Sequence, residues 1–578
     1  MPLALPSRIR LILALVFLFV IGGALVFWYG RIGFLPSNQS IIFDGGWRIL
    51  SGQIPFRDFT LPSGIVPSAM QAVFFDLCGI SWSSYVLHAA LLNGIFGIVA
   101  FAILRAFEVS RVWAVIYAAL STFYLFVPQG VPYMEQHSFF FGFVTLACYL
   151  RSERVSNANI RVVLLVTIPP LLLLGYLSKQ IPAAFFALLI FADGLSRRKW
   201  QTLLWLTVGT VFSLLGLLIL AFAYRIDWRL FYFYFFTLPG SLGFDRLLTL
   251  LSRRQFIAFG RDVLPLALPI IAVTGIAAWY FVKRTSAGRI PWTVALTFSL
   301  CILLAIASLA IWHVVTIAMI EVVLLNHFCK VRRNGLATPP RSQRIFFLQG
   351  LIVIGILFVA FTNMLPENGI PFVMICAGIL HRIALTREGS YRPHPFLIAV
   401  FVLLVLADTA VFHVRLNMSR AALFLTSEEF QAQAPGQNTQ GPLAAMYGPV
   451  YRGYRFSVQD LAELTDSLRR MDGAFWYFGD ASVVYGAARK PSVDPALWYH
   501  HGVTLAQPGS AEFLNYERRL LQNFRRYAVR QIVIEDTLTK SGCRLSDFGL
   551  VNDYIARHSH VTSSISTFRV IELSVDKR

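Results

Sequence analysis

The chain reads as a polytopic α-helical membrane protein with about 13 transmembrane helices and a small C-terminal α/β extracytoplasmic domain. Of its 578 residues only 14% are charged while 56% are hydrophobic, and mean hydropathy is +0.63. A soluble chain of this size would need roughly 25% charged residues to clothe its surface, so much of the surface faces lipid. Disorder, coiled coil and collagen are excluded by the same composition. Apolar stretches recur through residue 413, and composition then turns abruptly to that of an ordinary soluble sequence.

A membrane helix needs about 20 apolar residues to cross roughly 30 Å of hydrocarbon. Stretches that meet or approach this lie at 9–29, 82–105, 112–128, 134–150, 161–177, 181–195, 200–223, 262–283, 290–308, 311–329, 345–363, 369–385 and 395–413. Arg8 and Arg10 precede the first; it is too long for a secretory signal and lacks an A-x-A cleavage site, so it reads as a retained span. A division of 1–413 as transmembrane domain, 414–441 as polar linker and 442–578 as soluble α/β domain follows.

Charge sets the expected orientation. Of the net charge of +20, only +3 falls from Arg415 onward, and the rest sits mainly in short links between apolar runs. That is a topology signal, not a nucleic-acid footprint. With the N-terminus cytoplasmic, the inner links and the N-terminal arm hold 21 basic residues and the outer links hold ten, which places the C-terminal domain outside a cell inner membrane. The six cysteines form no CxxC or Cys/His cluster, so neither a disulfide framework nor a zinc site is indicated.

The soluble segment carries its own signals. Ser457 with Asp460 resembles a capping box ahead of a helical face of Val458, Leu461, Leu464 and Leu468. Phe475–Phe478 and Gln531–Ile534 read as buried strands, 511–527 and 546–558 as helices, and 565–573 as a last strand.

The outer links hold the chemistry. Link one, 31–81, contains FDGGWRILSGQIPFRDFTLPSG and sets Asp44, Arg48, Arg57 and Asp58 beside the membrane surface. The link between the third and fourth spans offers Glu135, Gln136 and His137 with no basic residue nearby; as a helix-start acid Glu135 also suits the helix dipole. Lys179, followed by Gln180, is a lone cation in a very short outer turn. It either snorkels to the interface or holds a lipid phosphate. The aromatic stretch from Trp228 to Phe236 reads as an interfacial belt.

Asp44-Gly45, then Gly52-x-x-Pro55-Phe56-Arg57-Asp58-Phe59 with Pro62 and Gly64, resembles the first outer loop of GT-C membrane glycosyltransferases. The likeness is to the bacterial branch that includes protein mannosyltransferase-like and aminoarabinose transferase-like enzymes. The resemblance implies an inverting transfer from a polyprenyl-phosphate sugar donor to an envelope glycan, lipid or protein acceptor. It makes Asp44 the catalytic base, Glu135 the second acid, and Lys179 a holder of the donor phosphate, with Arg57 and Arg48 as further candidates; Asp58, Gln136, His137 and Gln180 complete the candidate set. Gly45 and Gly46 stand where protein mannosyltransferases carry an acid after the aspartate. A divalent cation at Glu135 stays open, because no metal-ligand spacing decides it. The rivals are a transporter or lipid-linked glycan flippase, for which no inverted repeat is seen, and a polysaccharide polymerase or ligase.

The topology is directly testable: a reporter fused after Arg578 is expected to be active outside the cytoplasm, and one fused between Lys330 and Arg344 inside. Activity of both on one side would overturn the span count.

Overall fold

The computed structural model describes residues 6–250, 372–385, 441–451, 454–535 and 543–574, with isolated positions between 346 and 358. The chain is mostly helical. Its first half runs as α1 (Ser7–Tyr29), α2 (Pro36–Leu50), α3 (Ile65–Cys78), α4 (Trp82–Ala106), α5 (Arg111–Ser121) and α6 (Met134–Ser152). There follow α7 (Ala158–Ser178), α8 (Gln180–Ser196), α9 (Trp200–Ala223), and the broken run α10 (Trp228–Tyr232), a π-turn (Phe233–Thr237) and α11 (Leu238–Leu250). Then comes α12 (Val373–Leu385).

Among the described residues four helices, α1, α4, α7 and α9, are long and apolar enough to cross a membrane. Outer faces of α1 and α9 display Val20, Phe212, Ile219 and Phe222 at more than half exposure, which is the pattern of a lipid-facing surface. The expected spans at 262–283, 290–308, 311–329 and 395–413 lie outside the described residues, as does the linker save Gly441.

Link one is folded: α2 and α3 pack against each other, and Pro36 opens α2 at a position where its missing N–H costs nothing. One expectation in the first half needs correction. The span expected at 112–128 is helical only to Ser121 and continues as turns to Gly130. Buried Asn93 of α4 secures that change, its amide donating to Gly22 O and Thr122 O at 2.9 Å each. Gly130 then crosses Gly30 so closely that a Cβ on Gly30 would lie 1.9 Å from Gly130 O.

The C-terminal region builds a four-stranded sheet. Strand β1 (Ile32–Phe34) belongs to link one and pairs in parallel with β2 (Tyr447–Val450). The sheet itself has the order β3-β4-β6-β5, from β3 (Ala474–Phe478), β4 (Val529–Ile534), β5 (Ser559–Ile565) and β6 (Phe568–Leu573). Helices α13 (Val458–Arg470), α14 (Val483–Ala488), α15 (Ala511–Arg526) and α16 (Gly549–His558) accompany it. The capping box at Ser457 and Asp460 forms in full, and Leu461, Leu464 and Leu468 are buried, each side chain worth about 1.5–3 kcal/mol of transfer free energy. The single last strand expected at 565–573 is instead a hairpin that turns at Ser566.

Every residue of β3 is buried because each face of the strand meets a core. Phe475 and Tyr477 join the core that is continuous with the helical region, whereas Ala474, Trp476 and Phe478 join a second core beneath α15 and α16. The α/β unit is therefore continuous with the helical core through one face of β3, and α14 packs directly against α2.

Parallel β3 and β4 bring Asp480 and Glu535 to the same sheet edge. Glu535 Oε2 accepts hydrogen bonds from Tyr477 Oη at 2.7 Å and Asp480 N at 2.9 Å. Burial above all, then the nearby Asp480 charge, pushes the Glu535 carboxyl up to about 8. Between the ordinary glutamate range and that value the folded chain binds a proton that the unfolded chain has released. Stability must therefore fall as pH rises through this window and level off above it. Glu535→Gln is expected to flatten the decline in melting temperature between pH 5 and pH 8, measured by scanning fluorimetry; an unchanged slope would show that Glu535 is not its source.

Candidate functional site

Link one and the C-terminal domain are joined by one buried ion pair. Arg48 Nε donates to Asp44 Oδ2 at 2.8 Å, one helical turn apart on α2. The remaining Arg48 nitrogens donate to Asp494 O and, at 3.2 Å, Ala496 O, while the guanidinium lies 5.3 Å from the centre of the Phe59 ring. Ser492 Oγ donates to Asp44 Oδ1 at 2.7 Å. Burial pushes the Asp44 carboxyl up from its ordinary value, against the pull of Arg48 and Ser492.

Further bonds extend the same seam. Trp47 Nε1 donates to Lys490 O, Gln53 Nε2 to Ser492 O, and Thr60 N to Pro495 O, at 2.7–2.8 Å. The residues that make link one unusual in sequence thus hold the segment 490–496. Asp44 and Arg48 are buried, neither lines the cavity described next, and both Asp44 oxygens are hydrogen-bonded. Arg57 is also away from the cavity: it pairs with Asp58 at 2.7 Å on the surface, where Asp58 also accepts from Ile54 N at 2.9 Å. Asp44, Arg48 and Arg57, expected as base and phosphate ligands, are not among the residues that line the cavity described next.

A cavity of about 460 Å³ lies elsewhere, where the ends of α2, α6 and α7 meet the α10–α11 run and the C-terminal domain. Glu135 and Lys179 both line it and are in direct contact, Nζ to Oε1 at 3.3 Å. Glu135 is buried, and its Oε2 makes no hydrogen bond among the described residues. A buried carboxylate oxygen without a donor is costly to keep, and Glu135 is among the residues that line this cavity.

The backbone around Lys179 is built to hold it. Helix α7 ends at Ser178 and Lys179 is extended, with φ −158° and ψ 130°. Ser138 Oγ donates to Lys179 O at 2.8 Å, and Gly64 N donates to Ser178 O at 2.9 Å. Gly64 does so at φ +95°, a conformation that favours glycine. Gln180 Nε2 then donates to Pro62 O at 2.9 Å and Phe235 O at 2.7 Å, so link one, the α7–α8 junction and the π-turn share one knot.

Of the other sequence candidates, Gln180 lines the cavity, whereas Gln136 is buried with its Oε1 unbonded among the described residues. His137 turns the other way: Nδ1 bonds Tyr133 O at 2.7 Å and Nε2 meets His88 Nε2 at 3.1 Å inside the helical core. Asn38, Tyr133, Tyr176, Trp498 and His500 also line the cavity. Sequence reasoning missed these five, which come from separate segments and form no local motif.

No protein-family model matches the chain, and none of the curated proteins does. Among solved structures it is similar to the crystal structure of ArnT from Cupriavidus metallidurans bound to undecaprenyl phosphate, with 12% identity and a TM-score of 0.45 over 99% of each chain. It is also similar to the oligosaccharyltransferase of Archaeoglobus fulgidus in complex with Zn and sulfate. That likeness has 13% identity and a TM-score of 0.44 over 90% of this chain and 67% of the other.

The clasp predicts a separation of stability from turnover. Arg48→Ala leaves Asp44 buried without its counter-ion, a change that typically costs about 3–5 kcal/mol. Asp44→Asn keeps the shape and removes only the charge. Both variants are expected to melt at lower temperature than the parent, while Asp44→Asn retains turnover per folded molecule; loss of turnover at unchanged melting temperature would restore Asp44 to the chemistry.

Proposed function

We propose that the chain is a GT-C-type membrane glycosyltransferase that moves a sugar from a polyprenyl-phosphate donor to an acceptor hydroxyl. The observation that carries this reading is the Glu135–Lys179 pair, a carboxylate and an ammonium 3.3 Å apart in a cavity at the ends of apolar helices. One wall of that cavity is lipid-like, with Phe235, Phe236 and Leu242 from the interfacial run; it suits a prenyl tail entering from the bilayer.

In the proposed reaction the acceptor hydroxyl gives its proton to Glu135 as its oxygen bonds to the anomeric carbon. The bond from that carbon to the phosphate oxygen breaks, and its electron pair leaves with the phosphate. A phosphate leaving group is a stable anion and needs no general acid; Lys179 neutralises the charge that develops on it. One displacement inverts the anomeric centre. The base role is given to Glu135 because it lines the cavity and its Oε2 has no donor among the described residues, whereas Asp44 is outside the cavity with both oxygens bonded.

No divalent cation is part of the proposal: Glu135 already faces an ammonium, and no three His, Cys, Asp or Glu side chains converge among the described residues. The reading puts the cavity and the α/β domain on the outer face of a bacterial inner membrane, following the basic inner links. Envelope glycans, lipids and proteins all offer suitable acceptor hydroxyls.

Variants at two positions test the assignment. Glu135→Gln keeps the shape without the base and is expected to lower turnover about 10²- to 10⁴-fold. Lys179→Ala removes a charge-assisted contact and is expected to weaken apparent donor affinity roughly ten- to hundredfold, with partial recovery in Lys179→Arg. Turnover and donor titration of purified protein in lipid nanodiscs read the two effects, and unchanged donor saturation in Lys179→Ala would remove it from the site and with it the observation that carries this reading.

A further inference from the structure

The far wall of the cavity is supplied by the C-terminal domain, through the turn 498–505. That turn is unusually well tied for a surface loop. Thr504 Oγ1 donates to Trp498 O at 2.6 Å, the amides of Val503, Thr504 and Leu505 all reach His500 O at 3.0–3.1 Å, and Gly502 N returns to Leu505 O at 2.7 Å. Gly502 takes φ +75°, which lets the chain reverse without a Cβ. Leu505 and Thr504 are buried at its base. Trp498, His500 and Val503 are thereby fixed over the cavity before any ligand arrives, and a preorganised contact avoids the entropy of ordering a loop on binding.

The chemistry of those side chains differs from that of the opposite wall. Trp498 is half-buried, packed on one side against the main core and lining the cavity on the other. Its indole offers a flat face whose quadrupole is negative, which complements the partly positive C–H bonds on one face of a sugar ring. His500 Nδ1 bonds His501 O at 3.1 Å, so in the neutral ring the proton sits there and Nε2 is left as an acceptor for a hydroxyl. A prenyl tail needs neither an acceptor nitrogen nor a mixed polar rim. A cavity of about 460 Å³ falls within the range of small-molecule sites and has room for a sugar beside the phosphate position at Lys179.

We propose that the turn 498–505 is the sugar-recognition element of the site, with Trp498 stacking on a sugar ring and His500 accepting one of its hydroxyls. This rests on the glycosyltransferase reading. It makes the α/β domain a working part of the transfer site, and Trp498 and His500 specificity-determining residues. The ring belongs either to the donor or to a glycan acceptor, and the test separates them.

Full-length protein in nanodiscs is titrated with undecaprenyl phosphate alone and with its mannosyl, glucosyl and arabinosyl phosphodiesters, for the parent, Trp498→Ala, Trp498→Phe and Lys179→Ala. If the ring is the donor's, Trp498→Ala binds at least one glycosylated lipid roughly three- to tenfold more weakly and bare undecaprenyl phosphate unchanged, and Trp498→Phe recovers most of the loss. If the ring is the acceptor's, both lipid affinities hold and a panel of methyl glycosides binds the parent but not Trp498→Ala. Equal weakening toward bare and glycosylated lipid, or no change in any arm, overturns the proposal. Lys179→Ala reports on the underlying reading independently: it should weaken both lipids, and if it weakens neither, the transferase reading itself fails.

Discussion

The buried ion pair between Arg48 and Asp44 is the constraint on which the rest of the architecture depends. Taking two charges out of water costs several kcal/mol per ion, which is recovered only when their geometry is good and their remaining donors and acceptors are met. Here each is met, and the groups that meet them, Ser492 Oγ and the carbonyls of Asp494 and Ala496, all belong to the C-terminal domain. Link one cannot fold to completion without that domain in place, nor can the segment 490–496 find its partners without link one. The β1–β2 pairing and the shared face of β3 repeat the coupling in backbone hydrogen bonds and in apolar packing.

Two consequences reach the cavity. Segment 490–496 leads directly into the turn that carries Trp498 and His500, so the clasp aims that turn. At its other end, link one passes through Pro62 and Gly64, which bond Gln180 and Ser178 on either side of Lys179. The clasp thus lies outside the cavity yet fixes two of its walls.

Much of the fold was legible from residues 1–413 because membrane helices are written in composition: α1, α4, α6, α7, α8 and α9 lie close to the apolar runs that announce them. The amphipathic α13 was equally plain from its leucine spacing and capping box. Less legible was what the charges of link one are for. Asp44, Arg48, Arg57 and Asp58 look alike in sequence, and only tertiary contact separates a domain clasp from a surface pair. Lys179 stood out because it opposes the charge trend, a signal that needs no partner. Trp498 and His500 gave none, since their meaning depends on a turn whose hydrogen bonds are set more than 300 residues from Glu135 and Lys179.

The central claim is that lipid donor and chemistry meet at Glu135 and Lys179, while Asp44 and Arg48 hold the two halves together. Photocrosslinking with a polyprenyl phosphate that carries a diazirine in its first isoprene unit, followed by peptide mapping, tests it most directly. Adducts within Tyr176–Ile181 and Phe235–Gly243, competed away by unlabelled undecaprenyl phosphate, are the predicted result. Adducts concentrated between Asp44 and Asp58, with none at the Lys179 junction, would contradict the account.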